Sequence, residues 1–474
     1  MRNAIRMAAW ILVPALAGGA AARADDKSEL EALVQEVRKE RAALAAERAD
    51  LAEQRRRVDD ALAELEHERV QRTPYVSPEG PGVSAAPEEK RPYVDLYGFA
   101  MVDAIYDFNR EDPNWKSTLR PSKLPVNCGV ENDPANPLSA GCGKDGEAIV
   151  SVKQSRLGAR AGMPTPLGEL FARVEFDFFA TGDDAGETNI RLRHAYGELG
   201  PLLGGQTNSV FMDVDVFPNV IDYWGPAGMV FFRNPQIRYT PVRNENLEFA
   251  LAIESPGNAV DQGKVSEVAP ELDVNAWNPS PDFTTHVKLM GDWGHVQAAG
   301  ILRVLGFDTS NTGTNNPSGT EMGYGLNLSS VIDSIGDDQL LLQIVGGRGI
   351  ASYMNDGGVD LAPSNNNLNA AEALPLLGWL AYYNRYWNDK WSSSVGFSET
   401  RQWTTDGQND KAFETGQYFS GNVLYHPVPQ MLIGPEFLWG RLEARDGTSA
   451  VDNRVQFSIK YDFDGRIWGA DTQR

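Results

Sequence analysis

The segment 169–179 alternates between apolar and charged residues. One parity is apolar and holds Leu170, Ala172, Val174, Phe176 and Phe178. The other parity is largely charged and holds Glu169, Arg173, Glu175 and Asp177. Because side chains alternate between two faces along a strand, the pattern predicts a β-strand with one apolar and one polar face; a helix would scatter both sets around its circumference. One such strand fits a soluble sandwich as well as a membrane barrel.

The same alternation occurs in sixteen segments, of which this is the third. The predicted strands are 93–107, 148–162, 167–179, 189–199, 203–212, 235–242, 247–254, 283–290, 295–305, 321–332, 339–349, 376–387, 391–401, 414–425, 431–442 and 453–463. Long connections alternate with short ones along the series, as in 108–147 followed by 163–166. An even strand number with long outer loops and tight periplasmic turns is typical of an outer-membrane barrel. The sequence therefore predicts an all-β transmembrane barrel of 16 antiparallel strands.

The last predicted strand has the cleanest alternation. Its apolar parity, predicted to face lipid, holds Val455, Phe457, Ile459, Tyr461 and Phe463. Its polar parity, predicted to face the lumen, holds Arg454, Gln456, Ser458, Lys460 and Asp462. Aromatic residues gather around one predicted turn, as expected for an interfacial girdle: Tyr382, Tyr383, Tyr386, Trp387 and Trp391.

The N-terminal part of the chain has a different organisation. Residues 1–24 have a basic start, a short apolar core and an Ala22-Arg23-Ala24 motif, which predict a secretory signal peptide. Apolar residues recur every seven positions from Leu30 to Leu65 and predict an α-helical coiled coil over 25–72, with a solvated single helix as the alternative. Five prolines predict an extended linker over 73–92.

Composition limits the class of protein and of partner. The 474 residues carry a formal charge of -22, which argues against a nucleic-acid partner because nucleic acids select basic surfaces. The mean hydropathy of -0.37 leaves no apolar run long enough for a transmembrane helix in the mature chain. The only two cysteines, Cys128 and Cys142, lie 14 positions apart in a Pro/Gly/Asn-rich segment, which predicts a local disulfide in an exported protein.

Arginines occupy the inward parity of several predicted strands. The candidates for lining the pore and selecting anions are Arg156, Arg160, Arg173, Arg191, Arg193 and Arg238. Guanidinium groups bind carboxylates and phosphates bidentately and would draw anions into a channel. The alternative is structural: Glu175 and Asp177 would pair with Arg191 and Arg193 across neighbouring strands. Arg156 and Arg160 have no acidic residue on their own strand.

The connection 213–234 is rich in aromatic and aliphatic residues, unlike a solvated loop. It includes Phe217, Val220, Ile221, Tyr223, Trp224, Phe231 and Phe232. These residues predict a third loop folded into the barrel, which would leave four charged residues to line a constriction, namely Asp213, Asp215, Asp222 and Arg233. The alternative is a loop at a trimer contact.

Motifs for catalysis and for cofactors are lacking in the sequence. No G-x-S-x-G or H-E-x-x-H occurs, and the five histidines show no metal-ligand spacing. An enzyme, a cofactor and a bound metal are therefore not expected. Acidic clusters in the outer loops would at most hold Ca²⁺ loosely.

Several short motifs lie along the predicted barrel: G-Q-T-N-S from Gly205, Pro218 with Ile221-Asp222, R-N-P-Q-I-R-Y-T from Arg233, D-W-G-H-V-Q from Asp292, G-L-N-L-S from Gly325, Y-W-N-D-K-W from Tyr386 and D-N-R-V-Q-F-S-I-K-Y from Asp452. In these motifs the sequence resembles the DcaP-like outer-membrane porins of the phosphate-selective porin O/P superfamily. The resemblance implies a trimeric sixteen-stranded barrel with a periplasmic coiled coil, taking up small anions such as dicarboxylic and aromatic acids. Such porins usually end on the aromatic residue of the final strand, whereas here a tail, 464–474, is expected after Phe463.

The expected function is passive diffusion of small, anionic solutes, phosphate-like anions included, through a homotrimer. Its site is the outer membrane of a Gram-negative bacterium, in contact with lipid and lipopolysaccharide. The alternative is a structural anchor, in which a narrow or plugged barrel holds the coiled coil as an envelope spacer. An outer-membrane hydrolase is a third possibility, but the sequence offers no nucleophile–base motif for it.

Overall fold

A computed structural model describes residues 91–112, 114–126, 145–180, 189–265, 273–310, 318–333, 336–365 and 370–469, together with Gln35 and Lys39. The chain divides into two compact units, Met1–Thr73 and Pro74–Arg474, and the β-structure lies in the second. The predicted signal peptide and coiled coil lie outside the described residues apart from Gln35 and Lys39, which are helical, and so does the predicted linker apart from 91–92. Cys128 and Cys142 also lie outside the described residues. Within the described part, no helix is long and apolar enough to cross a membrane.

The described part contains twenty-one β-strands in chain order. They are β1 Tyr93–Asp107, β2 Glu147–Ser151, β3 Arg156–Thr165, β4 Gly168–Asp177, β5 Arg191–Leu199, β6 Leu202–Asn208, β7 Arg233–Arg243, β8 Leu247–Glu254, β9 Asp273–Trp277, β10 Asp282–Gly291, β11 Gly294–Ser310, β12 Ser318–Asp333, β13 Gln339–Arg348, β14 Leu361–Pro363, β15 Ala371–Ala373, β16 Pro375–Asn388, β17 Trp391–Gln402, β18 Phe413–Asn422, β19 Leu424–Tyr425, β20 Met431–Ala444 and β21 Ser449–Trp468. Three 3-10 turns lie between strands, at Pro121–Lys123, Val214–Val216 and Ala351–Tyr353.

Sixteen antiparallel strands close into one barrel. Consecutive strands pair with each other, and β21 pairs with β1 from Asp107↔Arg454 to Val94↔Trp468, which closes the sheet. β2 and β3 form one interrupted strand against β1, and β18 and β19 form another. β9 extends the wall beside β11, and β14 and β15 form a separate small hairpin. The predicted sixteen-stranded antiparallel barrel is confirmed.

The alternation of the sequence matches the two faces of the barrel wall. On β21, Phe457 and Tyr461 are exposed on the outside, whereas Arg454, Gln456 and Ser458 are buried inside. On β4, Val174 is exposed while Glu175 and Asp177 are buried. Hydrophobicity faces outward because lipid is the solvent there, and the polar parity lines the interior.

Three boundary predictions and one girdle assignment are wrong. β21 continues to Trp468, so residues 464–468 belong to the wall and not to a tail. β6 ends at Asn208, and the predicted strand over 203–212 turns into the lumen at that point. β9 lies in a predicted connection. Tyr382, assigned to the girdle, faces inward and contacts Ser420 at 3.0 Å, because it shares the inward parity of its strand.

Candidate functional site

The connection between β6 and β7, residues 209–232, runs through the inside of the barrel; we call it the inner loop. Inward side chains of the wall hold its backbone on several sides. Asn327 donates to the Phe211 carbonyl at 2.9 Å, and Gln154 and Gln456 donate to the Ile221 carbonyl at 2.8 and 3.0 Å. The inward course predicted for this loop agrees with these contacts. Its role at a constriction stays a prediction.

Apolar side chains of the inner loop pack against a large apolar cluster on the wall. From the loop come Phe211, Met212, Val216, Val220, Met229 and Val230, and from the wall Leu341, Val345 and Leu380 among others. The loop is therefore a buried element with its own apolar contacts, which explains the aromatic and aliphatic content that its sequence shows.

Two of the acidic residues expected at a constriction anchor the inner loop to the wall. Asp213 is 1% exposed; its Oδ2 accepts from Ser329 Oγ at 2.7 Å and lies 2.8 Å from His295 Nε2. Burial alone would raise the pKa of Asp213, but the Lys288 ammonium, 3.3 Å away, and His295 hold it below its ordinary value. A carboxylate held in this way stays charged and tied to the wall.

Asp222 is a second buried anchor. Its Oδ1 accepts from Thr118 Oγ1 at 2.9 Å and from the Leu119 amide at 3.2 Å, and its Oδ2 accepts from Tyr418 Oη at 3.2 Å. Burial raises the pKa of Asp222 in spite of these hydrogen bonds. Asp215 is more exposed and forms an ion pair with Lys288. Of the four residues predicted for a constriction, Arg233 and Asp222 border a cavity that is described below.

The register of β3, β4 and β5 places four of the predicted arginines close to the carboxylates of Glu175 and Asp177. Asp177 pairs in register with Arg156 on β3 and with Arg191 on β5. Arg191 donates to Asp177 at 2.9 Å, while Arg193 donates to Glu175 at 2.8 Å and to Asp177 at 2.9 Å. Arg191 and Arg193 thus form ion pairs across neighbouring strands, as the structural alternative predicted.

Arg156 and Arg173 complete this arrangement, which we call the arginine cluster: Arg156, Arg173, Arg191 and Arg193 around Glu175 and Asp177. Arg156 Nε lies 3.5 Å from Glu175 Oε1, and Arg173 donates to Glu175 Oε2 at 2.5 Å. The lack of an acid on its own strand therefore did not leave Arg156 without a partner, because the neighbouring strand supplies one.

Arg160 and Arg238 have acidic neighbours outside the arginine cluster. Arg160 lies directly opposite Arg173 in the strand register but pairs with Asp95 at 3.3 Å and with Asp464 at 2.6 Å, near the start of β1 and the end of β21. Arg238 is influenced by the charges of Glu198 and Glu248. Arg160 therefore adjoins the arginine cluster while sharing other carboxylates.

A cavity of about 440 Å³ lies between the arginine cluster and the inner loop. Within the described residues, its cationic lining is Arg120, Arg156, Arg191, Arg193, Arg233 and Lys460, and its aromatic lining is Phe99, Phe217, Tyr223, Trp224, Phe231 and Phe232. The only carboxylate lining it in that part of the chain is Asp222, which already accepts the hydrogen bonds given above. Cationic and aromatic groups thus dominate this part of the lumen.

Two of these cations were not predicted as site residues. Arg120 lies in the segment 114–126, pairs with Asp356 at 2.9 Å and stacks between Trp115 and Trp224 at 4.2 and 4.0 Å. Nothing in the sequence pattern around Arg120 indicates this position. Lys460 lies 4.4 Å from the Phe99 ring, and its inward parity on the last strand was a usable signal.

Comparison with protein families decides the identity of this barrel. Residues 20–463 match the model of the family described as DcaP outer membrane protein. The chain belongs to the DcaP outer membrane protein family. It is an outer-membrane protein with the fold of a porin channel. No curated protein sequence matches it.

The solved structure of a DcaP channel agrees with the assignment at the level of the fold. The outer membrane channel DcaP of Acinetobacter baumannii is 20% identical, with a TM-score of 0.64 over 80% of this chain and 100% of that chain. An anion-selective porin from Comamonas acidovorans is 10% identical, with a TM-score of 0.48 over 79% and 100% of the two chains. OmpT of Vibrio cholerae, expressed in the outer membrane, is 13% identical, with a TM-score of 0.46 over 80% and 99%.

Proposed function

We propose that this DcaP family member is a trimeric porin for the passive diffusion of small organic anions, with dicarboxylic and aromatic acids and phosphate-like anions as the solute class. The observation that carries the proposal is the charge balance beside the cavity. Within the described residues, the four arginines of the arginine cluster and Arg233 surround Glu175 and Asp177, so five formal positive charges meet two negative ones. The excess favours an anion in the adjoining space.

The chemistry of the cavity lining supports this solute class. Guanidinium groups match the two oxygens of a carboxylate, and aromatic faces suit a planar acid. A volume of about 440 Å³ lies within the range of small-molecule sites. Because Arg191 is 29% exposed, its guanidinium can contact a passing solute.

Reversal potentials test the sign of the selectivity. Across a KCl gradient in a planar bilayer, we expect the protein to favour Cl⁻, and the pair Arg156→Gln and Arg191→Gln to lower the anion-to-cation permeability ratio. The matched control is Arg401→Gln, which removes an exposed arginine paired with Glu414 at 3.8 Å, away from the cavity. Cation preference that the double variant leaves unchanged would contradict the proposal.

The inner loop is the proposed constriction. Its buried anchors Asp213 and Asp222 and its apolar packing support a fixed position in the lumen. Deleting residues 216–230 should increase the single-channel conductance if the shortened protein still folds. Unchanged conductance in that folded variant would rule out the loop as the constriction.

A plugged barrel that serves as an envelope spacer is the second candidate. It is favoured by the apolar contact between the segment 114–126 and the wall, where Leu119, Tyr418 and Leu438 are fully buried. Tyr418 and Leu438 belong to the inward parity of their strands, so the segment packs against the inner face of the wall. A spacer would pass no ion current in a bilayer, whereas the proposed porin conducts.

The proposed trimer, with lipid and lipopolysaccharide around it, rests on the family membership and on the apolar outer face of the wall. Native mass spectrometry in detergent should give three times the monomer mass, which is 52.0 kDa for all 474 residues and lower after removal of the predicted signal peptide. A monomer at all detergent concentrations that keep the barrel folded would contradict it.

A further inference from the structure

Three buried carboxylates meet where the barrel closes, at the end of β1 that leads into the long connection 108–146. Asp107 is the last residue of β1 and pairs in register with Arg454 on β21. Asp452 lies two residues before Arg454 and therefore shares its inward face, and Glu111 returns to the same place from the connection. One oxygen from each of Asp107, Glu111 and Asp452 lies within 4.8 Å of the others.

Arg454 compensates only part of this negative charge. Its Nε and one terminal nitrogen donate to the two oxygens of Asp107 at 2.5 and 2.8 Å, and the same terminal nitrogen bonds one oxygen of Glu111. Asp452 has no more than a distant contact with it, 3.9 Å from Nε to Oδ2. Among the described residues, three carboxylates share this one cation, which leaves a formal charge of -2.

Unsatisfied oxygens point to a missing ligand. Asp452 is 0% exposed, and neither of its carboxylate oxygens has a hydrogen-bond partner in the described part of the chain. The same holds for Oε1 of Glu111, which is also buried. Leaving a charged group buried without a partner is costly, so buried carboxylates are normally paired or coordinate a metal.

We propose that Asp107, Glu111 and Asp452 bind a divalent cation of the Ca²⁺ class at this closure of the barrel. A charge of +2 neutralises the site, and the donors are oxygens alone, as hard cations require. The free oxygens of Asp452 and Glu111 supply the contacts, while Arg454 orients Asp107. The proposal is independent of solute selectivity, since the site is not among the residues that line the cavity.

A second acidic group in the lumen differs because neighbouring side chains compensate its charge. Asp213, Asp215 and His295 also place ligand atoms within 4.8 Å of one another. There Lys288 forms ion pairs with both carboxylates, and Ser329 and His295 lie within hydrogen-bond distance of Asp213 Oδ2. That group is compensated by the protein itself, whereas the group around Asp452 is not.

Thermal unfolding of the full-length protein, refolded in detergent without lipopolysaccharide, tests the site. After removal of divalent ions with EDTA, added CaCl₂ should raise the unfolding midpoint saturably, with half of the effect at about 0.1–1 mM, as for extracellular Ca²⁺ modules. KCl of matched ionic strength should leave the unfolding midpoint unchanged. Tb³⁺ luminescence, displaced by Ca²⁺, reports occupancy of the same site without unfolding.

Two isosteric variants separate a cation site from general electrostatics. Asp452→Asn and Glu111→Gln should each abolish the saturable Ca²⁺ response and the displaceable Tb³⁺ signal. Asp410→Asn, which changes an exposed carboxylate paired with Arg445 at 3.2 Å, should keep both. In EDTA, Asp452→Asn should be more stable than the unaltered protein, because it removes an uncompensated charge.

Two outcomes would overturn the proposal. One is an unaltered protein whose midpoint is insensitive to Ca²⁺ but rises on acidification, since this would show a proton shared among the carboxylates instead of a metal. The other is a Ca²⁺ response and Tb³⁺ signal of equal size in the Asp452→Asn, Glu111→Gln and Asp410→Asn proteins, since this would show binding elsewhere on the acidic surface.

Discussion

Replacing Arg193 by methionine tests whether the arginine cluster braces the wall. Arg193 is 1% exposed and donates to Glu175 at 2.8 Å, to Asp177 at 2.9 Å and to Tyr223 Oη at 2.8 Å. Methionine retains much of the apolar stem but none of these donors. The variant therefore leaves two buried carboxylates with less positive charge and removes one hydrogen bond of Tyr223 in the inner loop, which keeps its own bond to Asp177 at 2.6 Å.

The contacts set the expected size of the effect. A hydrogen bond to a charged group contributes about 1.5–3 kcal/mol, so the two bonds to carboxylates amount to about 3–6 kcal/mol. Arg156, Arg173 and Arg191 remain nearby and compensate part of the loss. We expect the free energy of unfolding to fall by about 3–5 kcal/mol, the range for breaking a buried ion pair.

Urea unfolding of the refolded protein in detergent, followed by tryptophan fluorescence, measures this loss. Arg191→Met is the matched control, because Arg191 bonds the same Asp177 but is 29% exposed, and solvent weakens its pair. We expect that control to lose about 1 kcal/mol. Equal losses in the two variants, or a loss below about 1 kcal/mol for Arg193→Met, would refute the bracing role.

Two further predictions concern the packing of the wall. A Cβ on Gly228 would lie 2.3 Å from the backbone oxygens of Trp379 and Glu399, so Gly228→Ala should displace the inner loop. We expect it to lower the free energy of unfolding in urea by about 1–3 kcal/mol and to change the single-channel conductance. The control Gly204→Ala should change none of these, because a Cβ there would have nothing within 4 Å. Ending the chain at Phe463 removes strand pairs with β1 and the Arg466 contact with Asp95 at 2.8 Å; refolding yield and unfolding midpoint should both fall relative to a chain that ends at Gly469, and equal values would show that residues 464–468 are dispensable.

Most of the barrel could be predicted because lipid outside and polar groups inside impose alternation on every strand. The predicted bounds of β1 and β8, 93–107 and 247–254, match the structure at both ends. The pattern failed where this constraint ends. Residues 210–212 are apolar and are buried consecutively inside the lumen, so alternation no longer applies.

The partners of inward charges could be predicted only in part, because they depend on register between strands. Pairing of Glu175 and Asp177 with Arg191 and Arg193 could be offered as an alternative from the sequence, since these residues flank one loop. Arg156 also reaches Glu175, but the pairing of β3 with β4 that allows this contact depends on where the turn between them is placed. Arg120 contacts Trp224 across 104 residues of chain, and no local pattern encodes such a contact.

The same arginines brace the wall and give the lumen its positive charge, and burial separates the two roles. Arg193 has almost no exposed surface, so it stabilises Glu175 and Asp177 but can hardly touch a solute. Arg191 shares Asp177 with it and keeps over a quarter of its side chain exposed beside the cavity. Arg193→Met should therefore lower the stability strongly and change the reversal potential little. Arg191→Met should shift the reversal potential at little cost in stability. If Arg191→Met left the reversal potential unchanged in a fully folded channel, the positive charge beside the cavity would be structural alone.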